Sequence, residues 1–180
     1  MIIIIVLLIV VPVILVIALF TRKGINATAT IDINKPQQQV FDYIVLLKNQ
    51  EHYNAWLLVD PKMVKTYTGI DGRPGFILAW ESKNKTDGKA QMQIAEVTTP
   101  QKITVDLTFE KPVPSKARYS LELSAVSNTQ TRVSWVYQGN TAPYYLLRVS
   151  HMVFRLKKRV TGYMQASLVN LKNILGEIKQ

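Results

Sequence analysis

The last stretch of the chain, Ala142 to Ile178, limits the possible folds more than any other. Val149, Met152, Val153, Leu156, Val160, Met164, Leu168, Leu171, Leu175 and Ile178 recur there at steps of three and four. On a helix with 3.6 residues per turn, that spacing gathers them into one broad apolar stripe. Thr141 is placed to cap such a helix and Pro143 to stand in its first turn, where a missing N–H costs nothing. Gly162 falls on the polar side, which predicts either one long helix bent there or a short helix followed by a longer one. A stripe of about five heptads needs a large apolar surface to cover it.

The middle of the chain supplies that surface. Ile25 to Asn34 alternates, with Ile25, Ala27, Ala29, Ile31 and Ile33 on one side and Asn26, Thr28, Thr30 and Asp32 on the other, the pattern of a half-buried strand. Asn34-Lys35-Pro36 reads as a cap and proline start for a short helix through Val40, Phe41, Ile44 and Leu47. Lys48 to Trp56 reads as a second short helix or an ordered loop, stopped by Asp60-Pro61. Six further strands are predicted, over 62–68, 76–82, 89–97, 102–110, 116–126 and 131–138, separated by Gly-, Pro- and Asn-rich turns. Connections this short make an antiparallel meander, and its clean alternation leaves one face wet and the other packed. The expected class is α+β: a curved seven-stranded antiparallel sheet wrapped around a long C-terminal helix, with two short helices after the first strand. About ten buried side chains at about 1.5–3 kcal/mol each would dominate the contact between helix and sheet. A strongly twisted sheet curls away from a straight helix, so a cavity is expected between them.

Ile2 to Phe20 contains no charged or amide side chain. Its length as a helix is about 28 Å, close to the hydrocarbon thickness of a bilayer. Pro12 interrupts it, which a membrane helix tolerates. A cleaved signal peptide is the competing reading, since Ala27-Thr28-Ala29 loosely resembles a cleavage site. Against it, no basic segment precedes the run, the run is too long, and Arg22 and Lys23 stand before the supposed cut. The expected organisation is a transmembrane anchor over 1–20, a tether over 21–24 and one soluble domain over 25–180. Basic residues follow the span and none precedes it, which places the domain on the cytoplasmic face. The tether reaches at most about 13 Å, so the domain sits against the bilayer.

The formal net charge of the 180-residue chain is +10. Its densest cluster is Arg155, Lys157, Lys158 and Arg159, which reads either as a solvated helix face or as a contact with anionic headgroups. Near such a surface each basic residue contributes about 1 kcal/mol, and Tyr144 to Leu147 just ahead add interfacial weight. Nucleic acid is the weaker partner, because no base-stacking aromatics stand among these charges. Cysteine is absent and only His52 and His151 are present, so no metal site is expected. No glycine loop of phosphate-cradling form opens a helix, and no cofactor is expected.

The order and spacing of these features resemble the helix-grip superfamily of START domains, Bet v 1 allergens and polyketide cyclase/dehydrase-like proteins, also called SRPBCC. The residues that carry the resemblance are Ile31 to Ile44, Trp56, Asp60-Pro61, the turn ending at Gly75, Trp80, Gly88, Met92 and Ile94, Thr131 to Trp135 and Leu168 to Lys172. Each is weak alone; together they span nearly all of Ile25 to Ile178. The resemblance implies an apolar or amphipathic small molecule held beneath the final helix, in some members as a substrate and in many as a cargo.

Strand parity nominates the candidate site. Leu78, Trp80, Met92, Leu107, Tyr119, Leu121, Trp135 and Tyr137 point inward from the sheet, and Met152, Leu156 and Met164 face them from the helix. Core packing explains these residues as well as a ligand pocket does. Glu81, Asp106, Glu110 and Glu122 have wet-face parity, so no catalytic residue is nominated. The expected function is a membrane-anchored binding domain for a hydrophobic small molecule or lipid, with Tyr or Trp donors orienting its polar end. A cyclase or dehydratase using the same cavity is one rival. A protein-interaction module with a filled core is the other. Arg22 and Lys23 with the 155–159 cluster make the expected membrane surface, and oligomeric state is open.

Overall fold

The computed structural model describes residues 12–13, 24–83, 88–112, 114–140 and 156–177. The seven strands are β1 (Gly24–Ile33), β2 (Val64–Thr68), β3 (Ile77–Glu81), β4 (Lys89–Thr98), β5 (Lys102–Lys111), β6 (Ser115–Ser127) and β7 (Gln130–Asn140). The helices are α1 (Gln37–Ile44), a 3-10 turn over Leu47–Asn49, α2 (Gln50–Tyr53) and α3 (Leu156–Glu177). The strands form one antiparallel sheet in the order β1-β7-β6-β5-β4-β3-β2. β2 to β7 is the expected meander; β1 closes the far edge by pairing with β7 along its whole length, from Gly24↔Asn140 to Ile33↔Thr131.

Period-two alternation explains the layering. Ala27, Ala29 and Ile33 of β1, Ile103, Val105 and Leu107 of β5, Ala117, Tyr119, Leu121 and Leu123 of β6 and Val133 and Trp135 of β7 are all buried on the inner face. The outer face is wet and laced by cross-strand ion pairs: Arg118 with Asp106, Arg132 with Asp32, Lys89 with Glu110 and Lys111 with Glu81. All four carboxylates given wet-face parity above lie on this side; the fourth, Glu122, stands opposite Lys102. The guanidinium of Arg118 beside Asp106 holds that carboxyl below its usual range.

α3 lies against the inner face, packing chiefly on β1 and also on α2. Val160, Met164, Leu168, Leu171 and Leu175 of the apolar stripe are buried, whereas Gly162 is exposed and the helix runs through it without interruption. Val149, Met152, Val153 and Ile178 lie outside the described residues, as do Thr141 and Pro143. At the other junction the proline stands one position earlier than expected: Pro36 occupies the cap position and α1 starts at Gln37. Asn34 caps nothing; its Oδ1 accepts from Gln130 Nε2 at 2.9 Å. Instead, Gln37 Nε2 fastens the helix start to the carbonyls of Pro100 at 3.1 Å and Leu123 at 3.3 Å. Asp71 in the glycine turn accepts the backbone N–H groups of Leu47 (2.7 Å) and Lys48 (3.1 Å), supplying partners that a 3-10 start lacks.

The apolar run 2–20 lies outside the described residues except for Pro12 and Val13. Among the described residues no helix is long and apolar enough to cross a membrane.

Candidate functional site

Between α3 and the sheet lies a hollow of about 60 Å³. Its sheet wall is Trp80, Met92, Leu107, Phe109, Tyr119, Trp135 and Tyr137; its helix wall is Val160, Tyr163, Met164 and Ser167; a third wall is Asn54, Trp56 and Leu57. Of the residues nominated from sequence, Trp80, Met92, Leu107, Tyr119, Trp135, Tyr137 and Met164 line it. Leu78 and Leu121 share their parity but are fully buried in the packed core and do not reach it. Met152 and the Leu156 side chain lie outside the described residues.

The third wall is placed by hydrogen bonds, not by a hydrophobic pattern. Asn54 Oδ1 accepts the Trp56 N–H at 3.0 Å, a local turn of the kind Asn favours. Ser167 Oγ accepts the Ala55 N–H at 2.9 Å and donates to the Tyr163 carbonyl at 2.7 Å, pinning the segment to α3. Asn170 Nδ2 donates to the Tyr53 carbonyl at 3.2 Å. Behind this wall, Gln50 is fully buried; its Nε2 donates to Tyr119 Oη at 2.6 Å and its Oε1 accepts from Asn54 Nδ2 at 2.8 Å. Tyr119 Oη in turn donates to Met92 Sδ at 3.3 Å.

Aromatic rings make up much of the lining. Trp56 is tilted against Tyr163 at 5.2 Å and Phe109 at 5.9 Å between centroids, and Tyr119 against Trp135 at 5.2 Å. These are ordinary edge-biased aromatic separations. The indole N–H groups of Trp56 and Trp135 are buried without a hydrogen-bond partner. Phe109, Val160, Tyr163, Ser167 and the 54–57 segment were not nominated from sequence. Phe109 had the right parity. Val160, Tyr163, Met164 and Ser167 follow the i, i+3, i+4, i+7 rule of one helix face, but a count of apolar residues passes over a serine.

The ionisable groups among the lining residues are the phenols of Tyr119, Tyr137 and Tyr163. Burial pushes Tyr137 up to about 12 and raises Tyr119 too, the Gln50 amide only partly offsetting that. Tyr53, fully buried outside the hollow, is raised well above its usual value by burial. His52 is exposed on α2 and does not line the hollow; His151 lies outside the described residues. Among the described residues no cluster of His, Asp and Glu is arranged to hold a metal.

The raised phenols fix a sign for alkaline stability. A phenol that holds its proton more tightly folded than unfolded contributes stability that is complete below about pH 10 and lost as pH rises through the folded value. For Tyr137 that window runs from about 10 to about 12. Urea midpoints are therefore expected to fall from about pH 10 upward, and Tyr137→Phe to flatten the decline. A decline equally steep in Tyr137→Phe would show that this phenol does not carry it.

The sheet order, the helix laid across its inner face and the hollow between them make up a helix-grip, Bet v 1-like fold. Solved structures agree. Norcoclaurine synthase from Thalictrum flavum, solved with dopamine and hydroxybenzaldehyde, matches at a TM-score of 0.66 and 10% identity, over 91% of this chain and 92% of that one. A protein of Chromobacterium violaceum matches at 0.58 and 13% identity, over 83% of this chain and 95% of that one. The Aha1 dimer from Colwellia psychrerythraea matches at 0.54 and 12% identity, over 87% and 99%. Similarity at these identities concerns the fold alone. No protein-family model matches the sequence, and no curated protein does either.

Proposed function

We propose that this chain is a membrane-anchored binding domain that holds a hydrophobic small molecule or lipid between its sheet and α3. The observation that carries this reading is the apolar, aromatic-walled hollow under the C-terminal helix. Trp80, Met92, Leu107, Tyr119, Trp135, Tyr137 and Met164 would contact the ligand, together with Trp56, Phe109 and Tyr163. The anchor rests on the apolar run 2–20 and the basic Arg22 and Lys23 that follow it, with Lys157, Lys158 and Arg159 on the exposed first turn of α3 as headgroup contacts. The domain would face the cytoplasm. Arg155 belongs to the same basic cluster.

Size sets the binding mode. A hollow of about 60 Å³ is smaller than the ~150 Å³ apolar cavity known to take benzene. A ligand therefore enters by displacing side chains, and Met92 and Met164 are the lining residues with the most rotatable, least shape-bound chains. Binding is favoured over cyclase chemistry because the buried phenols of Tyr119 and Tyr137, which burial makes hold their protons more tightly, supply no group ready to take a proton at neutral pH. The synthase of similar fold shows that such an architecture can also hold small aromatic reactants, so the enzyme remains the rival.

All three tryptophans of the chain, Trp56, Trp80 and Trp135, line the hollow, so tryptophan emission excited selectively at long wavelength reports on it. Titration of the full chain in nanodiscs with a long-chain alcohol is expected to shift the emission saturably. Val160→Phe, which puts a ring into the hollow, is expected to weaken the response at least about tenfold. Solvent extraction of the purified chain followed by mass spectrometry is expected to release one lipid-like molecule per protein. A linear, non-saturating response together with ligand-free protein from several hosts would overturn the reading.

A further inference from the structure

We propose that one end of the domain is a docking face for an anionic bilayer, built from the exposed Leu58-Val59 loop and a rim of unpaired cations, and that the hollow lies at this end. This rests on the anchor reading above, since the anchor's tether leads to Gly24.

The register identifies the end. Going round the sheet from Gly24, the register runs through Asn140, Lys116, Thr108, Gln91, Ala79 and Thr66, and the mutually paired set Lys111, Lys89, Glu81 and Val64 lies two to three residues further toward the same end. The loop between α2 and β2 is fastened there by a hydrogen bond from Ser82 Oγ to Asp60 Oδ2. Val160 and Tyr163, near the start of α3, line the hollow with Tyr137 and Phe109, so the helix also begins at this end. The opposite end carries Ile33, Thr131, Lys102 and Thr68, and the glycine turn beyond.

Two properties mark the Gly24 end, although an aliphatic patch and Arg73, ion-pair-free among the described residues, also occur at the opposite one. Leu58 and Val59 are each 45% exposed and Val64 63%, a loop and a strand start holding bare aliphatic side chains. Lys62, Lys116, Lys157, Lys158 and Arg159 make no ion pair among the described residues, whereas Lys89 and Lys111 are matched by Glu110 and Glu81. Exposed aliphatics rimmed by unmatched cations fit the boundary between acyl chains and anionic headgroups. The opposite end has bare aliphatics too, Ile70 at 67% and Leu46 at 39%, but the tether cannot bring them to the bilayer while Gly24 is held beside it. The hollow's wall residues Leu57 and Trp56 immediately precede Leu58. A lipid-derived ligand would thus meet the hollow at the bilayer surface, with no aqueous transit.

The chain has no cysteine, so Leu58→Cys and Ile70→Cys each offer a single labelling position. The full chain carrying a polarity-sensitive fluorophore at either position is reconstituted into phosphatidylcholine–phosphatidylserine vesicles containing spin-labelled lipid. Quenching at Leu58→Cys is expected to exceed that at Ile70→Cys by about threefold or more. Removing phosphatidylserine, or replacing Lys157, Lys158 and Arg159 with Glu, is expected to lower it about twofold or more. Equal quenching at both positions overturns the docking face. So does efficient disulfide cross-linking between two Leu58→Cys chains, which would mean that a second copy of the chain covers the loop. A carbonate wash is read separately: release of the protein counts against the anchor alone, and the two labels still decide the face.

Discussion

Leu168→Ala is expected to destabilise the domain by about 2–5 kcal/mol, the range for a large-to-small change at a fully buried site that cannot collapse. Leu168 has no exposed surface and lies midway along the buried stripe, between Met164 and Leu171. α3 also carries Gly162, two valines, a threonine and two asparagines, all weak helix formers, so packing and not propensity keeps its 22 residues helical. Gln165→Ala, at an exposed position of the same helix, serves as the comparison and is expected to stay within about 0.5 kcal/mol of the parent. Urea denaturation of both variants measures the difference. A loss under about 1 kcal/mol for Leu168→Ala would mean that the helix is not seated on the sheet as described.

The same contrast explains what the sequence makes legible. Strand parity is a property of the backbone, with a period of two, so every inward residue of β5 and β7 and most of β6 could be read without knowing any neighbour. Parity fixes the face of the sheet but not the height along it. Leu78 and Leu121 stand two residues from Trp80 and Tyr119, toward the end of the sheet filled by Ile94, Ile103 and Val133, and so belong to solid core. The hollow exists only where α3, the sheet and the 54–57 segment leave space between them, and such a gap has no local signature. The pairing of β1 with β7 is equally hidden, because more than ninety residues separate Ile33 from Thr131 and only the closed register joins them.

The 54–57 segment was illegible for a different reason. Asn54, Trp56 and Leu57 follow neither a period of two nor one of 3.6, and their position depends on Ser167 Oγ more than a hundred residues away. A polar residue inside an apolar helix face is the one available signal. Ser167 is 1% exposed, and a buried serine that satisfies a loop N–H marks where another element is attached. Gln50 says the same from the other side. Its amide joins Tyr119 and Asn54 in a chain of hydrogen bonds that runs on to Met92 Sδ, so this side of the hollow is held by polar contacts while Met164 faces it from α3 with an apolar chain. That asymmetry suits a site that yields on one side when a ligand enters.

Gly88→Ala is expected to cost about 2 kcal/mol or more, through two effects that add. Gly88 has φ +58°, a left-handed conformation that costs an L residue roughly 1–2 kcal/mol. In addition, a Cβ there would stand 2.0 Å from the Lys111 carbonyl oxygen, which is backbone of β5 and cannot swing aside as a side chain can. The Gly88 carbonyl also accepts the Ser82 N–H at 2.8 Å, so relief by moving Gly88 would loosen the β3–β4 hairpin. Gly162→Ala gives the opposite sign: its Cβ would meet nothing within 4 Å, and alanine in an exposed helix interior gains about 0.5–1 kcal/mol. Thermal denaturation of the pair measures both. The strain in Gly88→Ala falls at the rim that carries Lys111 and Lys89, two residues from Phe109 and Trp80 respectively along or across the sheet. A destabilised Gly88→Ala protein is therefore expected to show a red-shifted tryptophan emission before global unfolding, as water reaches the hollow; a shift appearing only with unfolding would place the strain elsewhere.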